Sequence, residues 1–161
     1  MSRWTLAACA AALTLLASLS GCFAPTDQAM VRNWRPLGAA GRTLSQLLAL
    51  SPGVKGVTWE SLGGENGATV VRTVVEYAPD RAGTDCGTPA TGMAVAARCF
   101  LVMDFSVTPA GAVTFFAAKS QTYSALGAMQ EAGLDIGVMA DLVARAFPLP
   151  CAALTVPASS Q

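Results

Sequence analysis

The 161-residue sequence contains no histidine. Histidine is the commonest acid–base group near neutral pH and the commonest metal ligand, so its absence excludes Ser-His-Asp and Cys-His catalytic units. Charged residues make up only 12% of the chain, and Lys55 and Lys119 are its two lysines. Ten basic residues balance ten acidic ones, which leaves no basic stripe for a nucleic-acid partner. The sequence therefore predicts a protein that is not an enzyme, without a cofactor or a metal site.

A long apolar run is present only at the N-terminus. Arg3 precedes a nearly continuous apolar stretch over residues 4–19, which is shorter than the ~20 residues that a membrane-spanning helix needs. A basic residue, an apolar run and then small residues are the order found in secretory signal peptides. The run ends in Leu19-Ser20-Gly21-Cys22.

This ending resembles the lipobox of bacterial lipoproteins. The resemblance implies that Cys22 receives a diacylglyceryl group on its sulfur, that residues 1–21 are removed as a signal peptide, and that the new amino group is acylated, for example by palmitate. Several acyl chains on one residue give stable membrane attachment. The protein is then expected in the cell envelope, with the membrane as a partner through Cys22. In a Gram-negative cell, Phe23 in place of aspartate implies the outer membrane, facing the periplasm.

The mature chain divides into a short N-terminal segment and one domain. Residues 22–37 lack periodicity and contain Pro25 and Pro36, so we interpret them as the lipidated cysteine and a tether, with Trp34 packing back on the domain. Residues 38–161 are of a length that one domain commonly has.

Periodicity within the domain predicts an α+β fold. Leu44, Leu47 and Leu48 predict a helix within 38–50 that Thr43 or Ser45 caps. Apolar–polar alternation and glycine-containing turns predict two hairpins, with strands at 54–61, 68–77, 99–107 and 112–120. Residues 93–98 suggest a turn of helix, residues 121–133 are ambiguous, and residues 134–147 predict an amphipathic helix. We expect an antiparallel sheet of about four strands packed against an N-terminal and a C-terminal helix.

The strand segments also carry a second resemblance. The stretch Val54-Lys55-Gly56-Val57-Thr58-Trp59-Glu60, followed by the valine-rich strand after Gly67, is similar to small exported bacterial domains of unknown function. The resemblance extends over about half of the mature chain, and the segment 79–98 is an addition to that pattern. It implies no catalytic residues.

Five cysteines occur, of which Cys9 lies in the signal peptide and Cys22 is the lipidation site. Cys86, Cys99 and Cys151 remain in an oxidising compartment, where disulfides persist. A Cys86–Cys99 disulfide would tie the long loop to the strand that follows it; the pairings Cys99–Cys151 and Cys86–Cys151 stay open. Three thiols without histidine or a Cys-x-x-Cys motif do not favour a redox or zinc site.

The remaining candidate chemistry is sparse. Asp80 and Asp85 fall in a loop rich in glycine and proline, while Glu76 and Asp104 alternate with apolar residues on strands, so all four carboxylates are expected in solvent. An aromatic groove could be built from Trp59, Tyr77 and Phe105, but aromatic side chains on the apolar faces of strands more often form the core.

The sequence thus predicts a lipid-anchored envelope protein with a non-catalytic interaction or structural role and an unidentified envelope protein as its partner. An alternative is a small peptide- or ligand-binding module of inhibitor-like or cystatin-like shape. An apolar pocket between the sheet and the predicted helix over 134–147 would favour this alternative.

Overall fold

The fold was determined as a computed structural model that describes residues 26–78, 92–135 and 155–157, together with Gly137, Ala140, Val143 and Ala144. This part of the chain contains two helices, α1 (Asp27–Asn33) and α2 (Leu44–Leu50), and seven strands. The strands are β1 (Val54–Leu62), β2 (Thr69–Tyr77), β3 (Met93–Val95), β4 (Arg98–Val107), β5 (Val113–Tyr123), β6 (Met129–Gly133) and β7 (Thr155–Pro157). The signal peptide predicted over 1–21 and the lipidation site Cys22 lie outside the described residues.

Five of the strands form one antiparallel sheet in the order β1-β2-β4-β5-β6, and β3 pairs with β7 in a separate two-stranded ladder. The β1–β2 hairpin turns at Asn66-Gly67, where both residues adopt positive φ angles of 54° and 75°. An Asn-Gly pair suits such a turn because both residues tolerate the left-handed region. The predicted α+β class and its antiparallel sheet are confirmed, but the sheet has five strands where about four were expected.

The fifth strand comes from the segment whose sequence is ambiguous. β5 continues to Tyr123, three residues beyond the predicted end, and the chain then returns as β6. All five residues of β6 are exposed, so this strand lacks the apolar–polar alternation that marks a half-buried strand. Instead, β6 is held in the sheet by its antiparallel backbone pairing with β5.

The core lies between one face of the sheet and the two helices. Alternation along β2 and β4 directs one set of side chains inward, where they are fully or almost fully buried: Val71, Val75, Tyr77, Leu101, Met103, Phe105 and Val107. The helices cover this face with buried aliphatic side chains: Val31, Leu44, Leu47 and Leu48. Burial of this apolar surface is the main contribution to stability.

Helix α2 begins where the sequence predicts. The Thr43 hydroxyl accepts a hydrogen bond from the Gln46 backbone N–H at 3.2 Å, and the Gln46 side chain accepts one from the Thr43 N–H at 2.9 Å. This capping box satisfies two backbone donors that the first turn of a helix otherwise leaves without partners. Of the two predicted candidates, Thr43 and Ser45, Thr43 is therefore the N-cap.

Two predicted elements are wrong. Helix α1 occupies part of the segment interpreted as a tether (22–37): Thr26 caps it, and Val31 is fully buried against the sheet. The prediction failed because this short helix buries one side chain and shows no periodicity. Met93–Val95 is a strand, not a turn of helix, because it pairs with the distant C-terminal residues Thr155–Pro157. Most of the helix predicted over 134–147 lies outside the described residues and stays a prediction.

Candidate functional site

A pocket of about 410 Å³ opens beside the core face of the sheet. Its walls come from five parts of the chain: the segment after α1, the start of α2, the end of β4, the start of β5, and residues near the C-terminus. The lining residues are Trp34, Pro36, Leu37, Leu44, Met103, Phe105, Val113, Thr114, Phe115, Ala140 and Val143. The volume falls within the range of about 300–1,000 Å³ that small-molecule sites occupy.

Three aromatic rings build the inner wall of the pocket. Trp34 forms the C-cap of α1 and packs edge-to-face on Phe105, with 5.3 Å between ring centroids. Phe105 packs in the same manner on Phe115 at 5.6 Å. Edge-to-face geometry is favourable between aromatic rings, so the three rings hold one another in place across α1, β4 and β5.

The loop between α1 and α2 forms the rim of the pocket. The backbone N–H of Leu44 donates to the carbonyl of Trp34 at 2.8 Å, which closes the loop between them. Within the loop, Ala40 and Gly41 adopt positive φ angles. The side chain of Leu37 lines the pocket, yet it is 98% exposed. A leucine held in water at the mouth of an apolar pocket is an apolar contact surface without a partner in the described part of the chain.

The chemistry of the lining is almost purely apolar. Among the described residues that line the pocket, Thr114 is the single one with a hydroxyl, and none is charged. Such a surface favours an apolar ligand, since a charged group placed there would lose its hydration without gaining a partner. The lining side chains offer no nucleophile beyond this hydroxyl and no general base.

The carboxylates of the sheet lie on its opposite face, away from the pocket. Asp104 accepts two hydrogen bonds from Arg72 across the β2–β4 ladder, at 2.8 and 2.9 Å. This pairing with Asp104 raises the pKa of Arg72 above its ordinary value. Glu76 lies 3.2 Å from Lys55 and 3.5 Å from Arg98. The carboxylates expected in solvent on these two strands are thus partly buried and paired with cations.

The same face continues onto β5 and β6. Glu131 accepts a hydrogen bond from Gln121 at 2.8 Å and lies 2.9 Å from the Lys119 ammonium. The Gln121 hydrogen bond, followed by the Lys119 contact, lowers the pKa of Glu131. Asp80 and Asp85 lie outside the described residues. In the described ranges, no group of three or more acidic residues or cysteines comes together as a metal site would require.

Cys99 is the one cysteine within the described residues, and its side chain is fully buried. Burial raises the pKa of its thiol to about 11, which makes it a poor nucleophile near neutral pH. The proposed disulfide partners Cys86 and Cys151 lie outside the described residues. The Cys86–Cys99 pairing and its alternatives therefore stay predictions.

The candidate aromatic groove is not formed by its three expected members. Tyr77 and Phe105 are buried in the core, and burial raises the pKa of Tyr77. Trp59 packs at the edge of that core with the Arg32 guanidinium 5.3 Å from its ring centroid. Of these three residues, Phe105 is the one that lines the pocket. It does so beside Trp34, an aromatic residue that the sequence analysis assigned to packing only.

In the described ranges no helix is long and apolar enough to cross a membrane. Comparison of the chain with protein-family models, with curated proteins and with solved structures finds no match.

Proposed function

We propose that this protein is a lipid-anchored envelope protein that binds an apolar ligand without transforming it. The observation that carries the proposal is the apolar pocket beside the sheet, whose lining includes Ala140 and Val143 from the C-terminal region. An apolar pocket of this size at this place favours a ligand-binding module over a purely structural domain.

The distribution of charge supports a non-catalytic role. On the sheet, Asp104, Glu76 and Glu131 each lie against a basic side chain on the face opposite the pocket. A catalytic site would instead need titratable groups that converge on the cavity. The lining side chains of the described pocket can exclude water from an apolar molecule and orient it by shape.

The membrane anchor in this proposal rests on the lipobox that ends in Cys22. Replacing Cys22 by serine should abolish the acyl mass on the mature protein and move it from the membrane fraction to the soluble fraction. A Cys9→Ser variant is the matched control, because that cysteine lies within the predicted signal peptide. Unchanged membrane attachment of the Cys22→Ser variant would refute lipidation at this residue.

Ligand binding can be tested separately from anchorage. The mature chain with Cys22→Ser carries no acyl groups and keeps every described residue of the fold. We expect it to bind the neutral fluorophore N-phenylnaphthylamine with increased emission, and unbranched alcohols of increasing length should displace the dye. Each methylene that enters the pocket contributes about 0.8 kcal/mol, so the affinity should rise about fourfold per carbon until the pocket is full.

The variant that locates this binding is Ala140→Phe. Ala140 is an exposed residue that lines the pocket, so a phenyl ring there can fill the cavity without disturbing the core. Ala144→Phe is the matched control, since Ala144 is an exposed residue of the same region that does not line the pocket. Dye binding that is equal in the two variants would place the site elsewhere and contradict the proposal.

A further inference from the structure

The distance between the lipidation site and the pocket limits where an apolar ligand can come from. Helix α1 begins at Asp27, capped by Thr26, so only residues 23–25 separate Cys22 from the folded domain. A fully extended chain advances about 3.3–3.6 Å per residue. The four steps from Cys22 to Thr26 therefore reach at most about 14 Å, which keeps the start of α1 close to the membrane surface.

The contacts of α1 show which end of the domain is held there. The Gln28 side-chain amide lies 3.4 Å from the Ser61 hydroxyl near the end of β1. The Met30 thioether packs beside Gly111 in the β4–β5 turn, and Pro109 of this turn lies next to Gly67 in the β1–β2 turn. The end of the sheet that carries these two hairpin turns thus contacts α1 and is held near the bilayer.

The pocket opens near this same end. Residues 113–115, which line it, come directly after the β4–β5 turn, and residues 34–37 follow directly after α1. Helix α1 has seven residues, so its rise of about 1.5 Å per residue places Trp34 roughly 10 Å from the first residue of the helix. Leu37 extends from the rim into solvent, where contact with hydrocarbon would remove it from water.

We infer that the pocket takes an acyl chain of a lipid from the membrane to which the protein is anchored. This inference rests on the proposed function and names its ligand class. An acyl chain matches the site because it is unbranched and apolar, and because none of the described residues that line the pocket carries a charge that would select a polar head. The short connection to Cys22 keeps the pocket within tens of ångströms of the bilayer. Membrane lipid is therefore available close to the site.

Trp34 provides a reporter for this event, because its indole lines the pocket. The chain has three tryptophans, Trp4, Trp34 and Trp59, and removal of the signal peptide eliminates Trp4. In the lipidated Trp59→Phe protein, Trp34 is the single emitter. The experiment reconstitutes this protein in phosphatidylcholine vesicles that carry bromine atoms on the acyl chains and measures the loss of tryptophan emission relative to unbrominated vesicles.

We expect brominated chains to quench Trp34 and expect Ala140→Phe, added to the same protein, to abolish the quenching while Ala144→Phe leaves it unchanged. The lipidated Trp34→Phe protein, which reports from Trp59, should be quenched much less, because Trp59 does not line the pocket. A second blocking variant, Val113→Phe, approaches the cavity from the sheet, where Val113 packs against the core, and it keeps the test decisive if Ala140→Phe fails to fold.

The outcomes separate this inference from the function on which it rests. Quenching that persists in both blocking variants would mean that Trp34 only touches the bilayer surface, and it would overturn the inference. Binding of N-phenylnaphthylamine by the Cys22→Ser protein, with no quenching of the anchored protein by brominated lipid, would overturn the inference and leave the apolar site intact. Failure of the mature wild-type protein to float with vesicles would overturn the anchor and the inference together.

Discussion

Thr73 lies at the centre of the apolar face of the sheet and is fully buried. Its neighbours on this face are Trp59 across the β1–β2 ladder and Met103 across the β2–β4 ladder. Its Oγ1 has no hydrogen-bond partner among the described residues. A buried hydroxyl without a partner loses its hydrogen bonds to water and gains nothing in return, so this side chain destabilises the folded state.

Replacing Thr73 by valine exchanges the hydroxyl for a methyl group at nearly the same volume. The desolvation cost removed is about 1–3 kcal/mol, and the added methyl group contributes up to ~0.8 kcal/mol of apolar burial. We expect the free energy of unfolding to rise by about 2 kcal/mol. For a domain of this size, such a change raises Tm by roughly 4–10 °C.

Urea denaturation of the mature Cys22→Ser protein, followed by tryptophan emission, measures this change. Thr58→Val is the matched control because Thr58 is an exposed residue in the neighbouring strand β1, and an exposed substitution of this kind changes stability by less than about 0.5 kcal/mol. If Thr73→Val proves less stable than Thr58→Val, then the Thr73 hydroxyl has a partner in solution and the reasoning is refuted.

Three further predictions concern the sheet and α2. Arg72→Ala leaves the partly buried Asp104 without its two donors and should lower the free energy of unfolding by about 1–2 kcal/mol; a double-mutant cycle with Asp104→Ala should give a coupling of about 1 kcal/mol, and zero coupling would contradict the pair. Thr43→Ala removes the capping box of α2 and should cost about 1 kcal/mol in urea denaturation, whereas Ser45→Ala, at an exposed position within α2, serves as a comparison; equal effects would argue against the cap. In the reduced protein, burial raises the pKa of Cys99 from 9.0 to about 11, so the folded state binds this proton more tightly than the unfolded state. Stability is then complete below about pH 9 and falls as the pH rises towards 11, by up to roughly 2 kcal/mol; Cys99→Val should flatten this decline, and an unchanged decline would assign it to other groups such as Tyr77.

The sequence correctly predicts those elements in which one face of the strand or helix packs in the core. β2 alternates strictly and β4 does so except at the buried Val102, so Val71 and Val75, or Leu101 and Met103, mark the core face without reference to the rest of the chain. Helix α2 is equally clear because a capping threonine precedes leucines at helical spacing.

The elements that were missed depend on partners elsewhere in the chain. Helix α1 buries only Val31, and β6 buries none of its five residues, so neither leaves a periodic signal. Segments far apart in sequence, around Trp34, Phe105, Val113 and Ala140, meet only in the folded chain. The sequence therefore did not predict the residues that line the pocket; an apolar pocket between the sheet and the helix predicted over 134–147 was only a condition that would favour the ligand-binding alternative.

The pairing of β2 with β4 has a consequence for how the chain tolerates change. Tyr77, the last residue of β2, lies directly opposite Cys99 at the start of β4. The chain thus leaves and rejoins the ladder at neighbouring positions, and the cost of closing the connection grows only with the logarithm of its length, by about 0.6 kcal/mol for each doubling. The register of β2 against β4 is therefore set by the ladder itself, and a longer connection between the two strands would cost little stability.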